Sequence, residues 1–245
     1  MDYPAGAEKS YSKLQANVHI QSAFKPFLKN GGDVILLDTA VLRSTKQILA
    51  INSDSPIFVT IVEKEIGVAQ RIRDRIHKEG LENFVRLVNM DVFDYLELCR
   101  QNAHRADCIW LDLMSSDISD DTLYDKLSVL GTKAVALTLS GRGKKRKTYP
   151  RRMRRIETSM QTIGLHKVLD WGYKQAVQNQ TMFLTVFLRQ ARYVCRYRIQ
   201  TIKAVDNSHS HAMVKCWGYP QKKKILLPGA GDGYISYNPF CEYIW

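Results

Sequence analysis

The feature that most restricts what this chain can fold into is an alternation. Five short apolar runs stand at regular intervals: "DVILLD" (33–38), "PIFVTIV" (56–62), "FVRLVN" (84–89), "ADCIWLD" (106–112) and "KAVALTL" (133–139). They are apolar at successive positions, as strands covered on both faces are. Helix-length segments separate them. In "GVAQRIRDRIHKEG", Val68, Ala69, Ile72 and Ile76 share one helical face, and Gly80 supplies a stop. "VFDYLELCRQ" and "DDTLYDKLSVLG" have the same character. Met153, Ile156, Met160 and Ile163 recur at helical spacing before Gly164. Residues 11–30 read as a helical lead-in ending at "NGG". Five strand–helix units in succession predict an open parallel sheet with helices on both faces. "HKVLDWGYKQ" (166–175) and "TMFLTVFLRQ" (181–190) follow without a helix between them, which predicts an antiparallel hairpin at the sheet edge.

Ligands of such sheets lie beyond the carboxyl ends of the strands. Each of the first four predicted strands carries an acid there. Asp38, followed by Thr39, ends the first. Glu63 follows the second, with Glu65 close behind. Asp91 lies at the turn after the third, and Asp112 ends the fourth in "WLDLMSS". Helix N-termini also favour acids, so capping competes with ligand binding at every one of these positions. The first turn, "LDTAVLRST", contains no glycine. Nucleotide-binding α/β domains usually place glycine there, which lets backbone approach the ligand at positive φ.

Five parallel strands followed by a hairpin is the layout of the Rossmann-like methyltransferases. Residues 30–190 or so resemble the class I S-adenosylmethionine-dependent family. "TIVEKEIGVAQRI" resembles its second motif, "FVRLVNMDVFDYL" its third and "ADCIWLD" its fourth. The resemblance implies an α/β fold with a seven-stranded, mostly parallel sheet and S-adenosylmethionine as cofactor. It also distributes tasks among the acids. Glu63, with Glu65 in reserve, would accept the ribose hydroxyls. Asp91 would accept the adenine amine, with Val92 stacked beneath, and Asp38 would orient the methionyl ammonium. Thr39, with Ser44 and Thr45, would offer hydroxyls where the family has E/DxGxGxG. Methyl transfer depends mainly on in-line positioning, so Asp112 and Ser115, the polar groups nearest the reacting atoms, are the catalytic candidates. "DLMS" (112–115) lacks the proline and aromatic of "DPPY"-type motifs, and no Pro-Cys follows the fourth strand. These departures disfavour amino-group and cytosine-C5 chemistry.

The net charge of +12 is concentrated. Arg142, Lys144, Lys145, Arg146, Lys147, Arg151, Arg152, Arg154 and Arg155 lie within fourteen residues that hold no acid. The segment follows the fifth strand, so it belongs at the same rim as the acids. It suits a polyanion, and nucleic acid is the expected partner, with Tyr149 and Trp171 available for stacking. "KKRK" also reads as a nuclear-import signal, and both readings favour an intracellular, nuclear or nucleic-acid-containing compartment.

Residues 191–245 differ in texture from residues 1–190, and we expect a small β module with strands at 196–204, 211–217 and 223–227. "MVKCWGYPQKKKILLP" resembles a chromodomain core within residues 193–230, through Val214, Lys215, Gly218, Tyr219, Pro220 and Pro228. Cys216 stands at the cage-tryptophan position, with Trp217 one residue on. A one-residue shift in a strand turns the side chain to the other face, away from methyl-lysine recognition by cation–π contact. The five scattered cysteines suit a reducing compartment. His209, His211 and Cys216 cluster, but a fourth ligand at usual spacing is missing, so no metal is expected. No apolar run reaches the roughly 20 residues of a membrane span, and the N-terminus lacks a secretory pattern. The expectation is a methyltransferase acting on DNA or RNA. The alternatives are an inactive relative that binds nucleic acid or chromatin, and a protein methyltransferase.

Overall fold

The computed structural model describes residues 11–113, 122–140, 149–175, 180–189, 196–202, 211–217 and 224–226. Helix α1 (Tyr11–Phe24) and a 3₁₀ turn (Lys25–Phe27) lead into β1 (Gly32–Leu36). There follow α2 (Arg43–Leu49), β2 (Ile57–Val62), α3 (Ile66–Lys78), β3 (Val85–Val88), α4 (Val92–Gln101) and β4 (Cys108–Asp112). Then come α5 (Leu123–Val129), β5 (Ala134–Ser140), α6 (Tyr149–Thr162), β6 (Leu165–Gln175) and β7 (Gln180–Arg189).

The strands join in the order β3-β2-β1-β4-β5-β7-β6. The first five are parallel, and β7 is antiparallel to both β5 and β6. The predicted α/β class and the seven-stranded, mostly parallel sheet with its antiparallel hairpin are therefore present. The hairpin is threaded so that β7, not β6, lies against β5. Strands β8 (Arg196–Ile202), β9 (His211–Trp217) and β10 (Lys224–Leu226) continue the same sheet, β8 running parallel to β6. The C-terminal strands thus appear close to where the turn signals put them, and they extend the sheet.

Two cores sandwich the sheet. Val34, Leu36, Val59, Ile61, Trp110, Ala136 and Leu184 face α1, α2 and α3. Ile35, Val62, Ile109, Leu111, Val135 and Leu137 face α4, α5 and α6. All seven residues of β5 are buried, which explains why Thr138 and Ser140 alone interrupt its apolar character. In α4, Asp91 caps the helix by accepting from Phe93 N at 2.9 Å, and Val92, Tyr95, Leu96 and Cys99 are buried at helical spacing. The glycines of "NGG" are needed at the entry to β1. Gly32 has φ of 144°, and a Cβ there would stand 2.5 Å from Asp107 Oδ2, the acceptor for Asp33 N. Among the described residues no helix is long and apolar enough to cross a membrane.

Candidate functional site

The strand register gathers the acids. Leu36 is aligned with Ile61 on one side and Trp110 on the other, and Trp110 with Ala136. Two residues further along each strand direction stand Asp38, Glu63, Asp112 and Thr138. The Asp112–Thr138 pairing is itself part of the ladder. Leu37 N donates to Trp110 O at 3.2 Å and Glu63 N to Val88 O at 3.0 Å, so the alignment persists past the strand ends. Three of the four predicted acids thus share one row across the carboxyl rim, at register positions on the α1–α3 face. Asp91 lies at the start of α4, just beyond β3.

Each acid also has a structural task. Asp38 is the most heavily engaged. Its Oδ1 accepts from Thr39 N at 2.8 Å, and its Oδ2 accepts from Thr45 N and Thr45 Oγ1, both at 2.8 Å. It therefore closes the glycine-free loop by tying the exit of β1 to the first turn of α2. Thr39 accepts from Val41 N through Oγ1 at 3.4 Å, so it is part of the same loop. Leu42 occupies the left-handed region with φ of 55°, and its side chain is fully buried in the core with Ile48 and Trp110. A leucine anchor has taken the place where glycine was expected.

Glu63 Oε1 accepts from Glu65 N at 2.7 Å. This bond holds the β2–α3 turn, and Asn89 tightens it by donating to Glu63 O at 2.7 Å and Lys64 O at 3.2 Å. Asp91 combines its cap with an ion pair to Lys64 at 3.9 Å. Val92 beneath it is buried. Asp112 is half-buried at the end of β4. Among these acids, Asp38 is turned into its own loop, whereas Glu63 and Asp91 keep carboxylate oxygens at the rim with a single hydrogen bond each among the described residues.

Ser115 lies outside the described residues, as do Arg142, Lys144, Lys145, Arg146 and Lys147. The second half of the basic segment is helical. Arg151, Arg152, Arg154 and Arg155 fall within α6, so the segment is not one continuous loop. Met153, Ile156 and Met160 bury one face of α6, and Arg154 and Arg155 are exposed on the other side. Arg152 is half-buried and the side chain of Arg151 is not described. Among the described residues no cluster of metal-ligating side chains occurs. His209 and the Gly218–Pro220 part of the chromodomain-like motif lie outside the described residues, and the side chains of His211, Cys216 and Trp217 are not described.

Pattern reading passed over Asn89, Asn17, His19 and Thr138. Thr138 was visible as a polar break in "KAVALTL". Asn17 and His19 were visible as polar residues within a helix whose buried side also carries Ala16, Ile20 and Phe24.

No protein-family model matches the sequence, and no curated protein sequence does. Solved structures match the fold. An O-methyltransferase from Bacillus cereus, in complex with S-adenosylhomocysteine, superposes with a TM-score of 0.53 at 13% identity, over 76% of this chain and 84% of its own. A proposed RNA methyltransferase from Pyrococcus horikoshii gives 0.51 at 12% identity, over 77% of this chain and 89% of its own. A proposed transferase from the same organism gives 0.49 at 14% identity, and this chain spans only 63% of its length. The likeness to the two methyltransferases shows that this sheet and its helices have the Rossmann-like methyltransferase fold.

Proposed function

We propose that the chain binds S-adenosylmethionine at the carboxyl rim and transfers its methyl group to a nucleic acid. The observation that carries this reading is the row of Asp38, Glu63 and Asp112 across three adjacent strands. The residues fit the cofactor. Glu63 has one oxygen committed to the turn and one left for a ribose diol. Asp91 has one oxygen on the cap and the other 3.9 Å from Lys64 Nζ, a long pairing that an exocyclic amine would share, and buried Val92 supports the purine plane. The loop of Asp38 and Thr39 is closed by hydrogen bonds and by Leu42, so Asp38 meets a methionyl ammonium only with its remaining lone pairs. The cofactor supplies a methyl group already activated on a sulfonium. The protein then needs to align the acceptor, and we assign that task to Asp112, with Ser115 three residues on in the sequence. The basic segment supports nucleic acid as the acceptor, because it follows β5 directly.

Calorimetry with S-adenosylmethionine and S-adenosylhomocysteine tests this reading. Binding should be measurable for both, and Glu63→Gln should weaken it by about tenfold, the scale of one lost charge-assisted hydrogen bond. Absence of heat and of any thermal shift would overturn it. That result would favour a second reading, a nucleic-acid-binding module on this fold, for which the internal engagement of Asp38 and the buried Leu42 are the specific support.

A further inference from the structure

Two buried polar side chains outside the predicted site stand on the same face of the sheet as the acidic row. Asn17, on α1, is 1% exposed, and among the described residues neither its amide nitrogen nor its carbonyl oxygen has a hydrogen-bond partner. Thr138, next to Asp112 in the row, is fully buried, and its hydroxyl has no partner among the described residues. Buried amides and hydroxyls are nearly always satisfied in folded chains. Two exceptions above one stretch of sheet need a cause.

Their placement supplies one. Helix α1 packs on β5, β6, β7 and α2. Ala16 and Ile20, which flank Asn17, share a core with Ala136, Met182 and Leu184, the neighbours of Thr138 on that face. The height of Asn17 follows from its helix. Gln21 Nε2 donates to Gln47 O at 2.7 Å, and Gln47 Nε2 to Gln21 Oε1 at 3.2 Å. Helix α1 finishes at the entry to β1, whereas α2 starts at the exit of β1 and returns, so the two helices run in the same direction. One turn before these glutamines stand Asn17 and Arg43. Asn17 is therefore level with the first residue of α2, at the rim.

We propose that Asn17 and Thr138 line the acceptor's place, and that Asn17 reads the hydrogen-bonding edge of a single nucleobase. This rests on the nucleic-acid methyltransferase reading. A carboxamide presents a donor and an acceptor side by side, the complement of a base edge. Enzymes that modify bases take one unstacked base into a pocket. The strand that carries Thr138 ends at Ser140, and in the sequence the basic segment begins two residues later. Because Asn17 is so deeply buried, entry of a base requires α1 to shift from the sheet.

The test is a titration of the full ¹⁵N-labelled chain, following the assigned side-chain amide of Asn17. AMP, CMP, GMP and UMP are added separately, and S-adenosylhomocysteine is added alone and with each. At least one nucleotide should move the Asn17 amide signals. Asn17→Leu should then weaken that nucleotide by about tenfold, the scale of one lost bidentate base contact, with thermal stability preserved and S-adenosylhomocysteine affinity unchanged. Thr138→Val should weaken it in the same direction. If no nucleotide moves the signals, or if Asn17→Leu binds the nucleotide as well as before, the proposal is wrong. A shift caused by S-adenosylhomocysteine alone would assign the amide to the cofactor and overturn it too. Loss of S-adenosylhomocysteine binding in the unaltered chain is a separate failure, of the methyltransferase reading, and is read from calorimetry. The wild-type titration decides even if a variant does not fold.

Discussion

Asp38 makes three hydrogen bonds to residues no more than seven positions away, and together they replace what glycine would allow at the exit of β1. Removing the carboxylate leaves Thr45 N and Thr39 N without acceptors. Asp38→Ala should cost about 1–3 kcal/mol in denaturant unfolding, because hydrogen bonds to a charged group are worth more than neutral ones. Thr45→Val removes one of the three bonds, and a double-mutant cycle should show coupling above about 0.5 kcal/mol. Strict additivity would mean that the loop is held otherwise. Leu42 poses a sharper question, since two effects oppose each other. A leucine in the left-handed region costs roughly 1–2 kcal/mol, which glycine would recover. Loss of a fully buried leucine costs about 2–5 kcal/mol. Burial is the larger, so Leu42→Gly should destabilise the chain by a few kcal/mol, on the scale of those two figures. A stability gain would show that the leucine anchors nothing.

At the scale of elements, α1 is unusual because it buries a histidine as well as the orphaned asparagine. Burial pushes His19 from 6.5 down to about 4. Between those values the unfolded chain binds a proton that the folded chain does not. The stabilisation is therefore complete above the unfolded value and is lost as pH falls toward the folded one. The full window is worth on the order of 3 kcal/mol. Urea midpoints should fall between about pH 7 and about pH 4.5, and His19→Gln should flatten that decline. An equal decline in the variant would assign the effect to other groups. The same helix shows what the sequence could not disclose. Its length was legible, but which polar residues it hides depends on its packing across β5, β6 and β7, a contact made over more than a hundred residues of chain. Strands covered on both faces, such as β5, were legible because both sides demand apolar residues. The row of acids was legible residue by residue, yet its alignment comes only from the register. The fate of Asp38 was hidden for a related reason. A carboxylate at a strand tip looks the same whether it awaits a ligand or closes its own loop.

For the molecule as a whole, acids and bases are segregated along the chain that builds the sheet. The row on β1, β2 and β4 is acidic, whereas the chain leaving β5 carries nine positive charges in fourteen residues. A polyanion is repelled by the first and attracted by the second, so it should lie toward the β5 side, with its phosphates on the basic segment. Each neutralised phosphate releases counterions and steepens the dependence of affinity on salt, by about 0.7 for a single strand and about 0.9 for a duplex. Changing Lys144, Lys145, Arg154 and Arg155 to Ala should therefore lower the slope of log affinity against log salt by about 3. Arg154 and Arg155 are exposed on α6, opposite Met153, Ile156 and Met160, so their loss leaves the helix packed. Affinity should fall most at low salt, where screening is weakest. Fluorescence anisotropy with a labelled RNA and a labelled DNA of equal length, across a salt series, measures this directly. If neither slope changes, the segment does not carry the phosphates and nucleic acid must be sought on another face. If only the RNA slope changes, the acceptor class narrows to RNA.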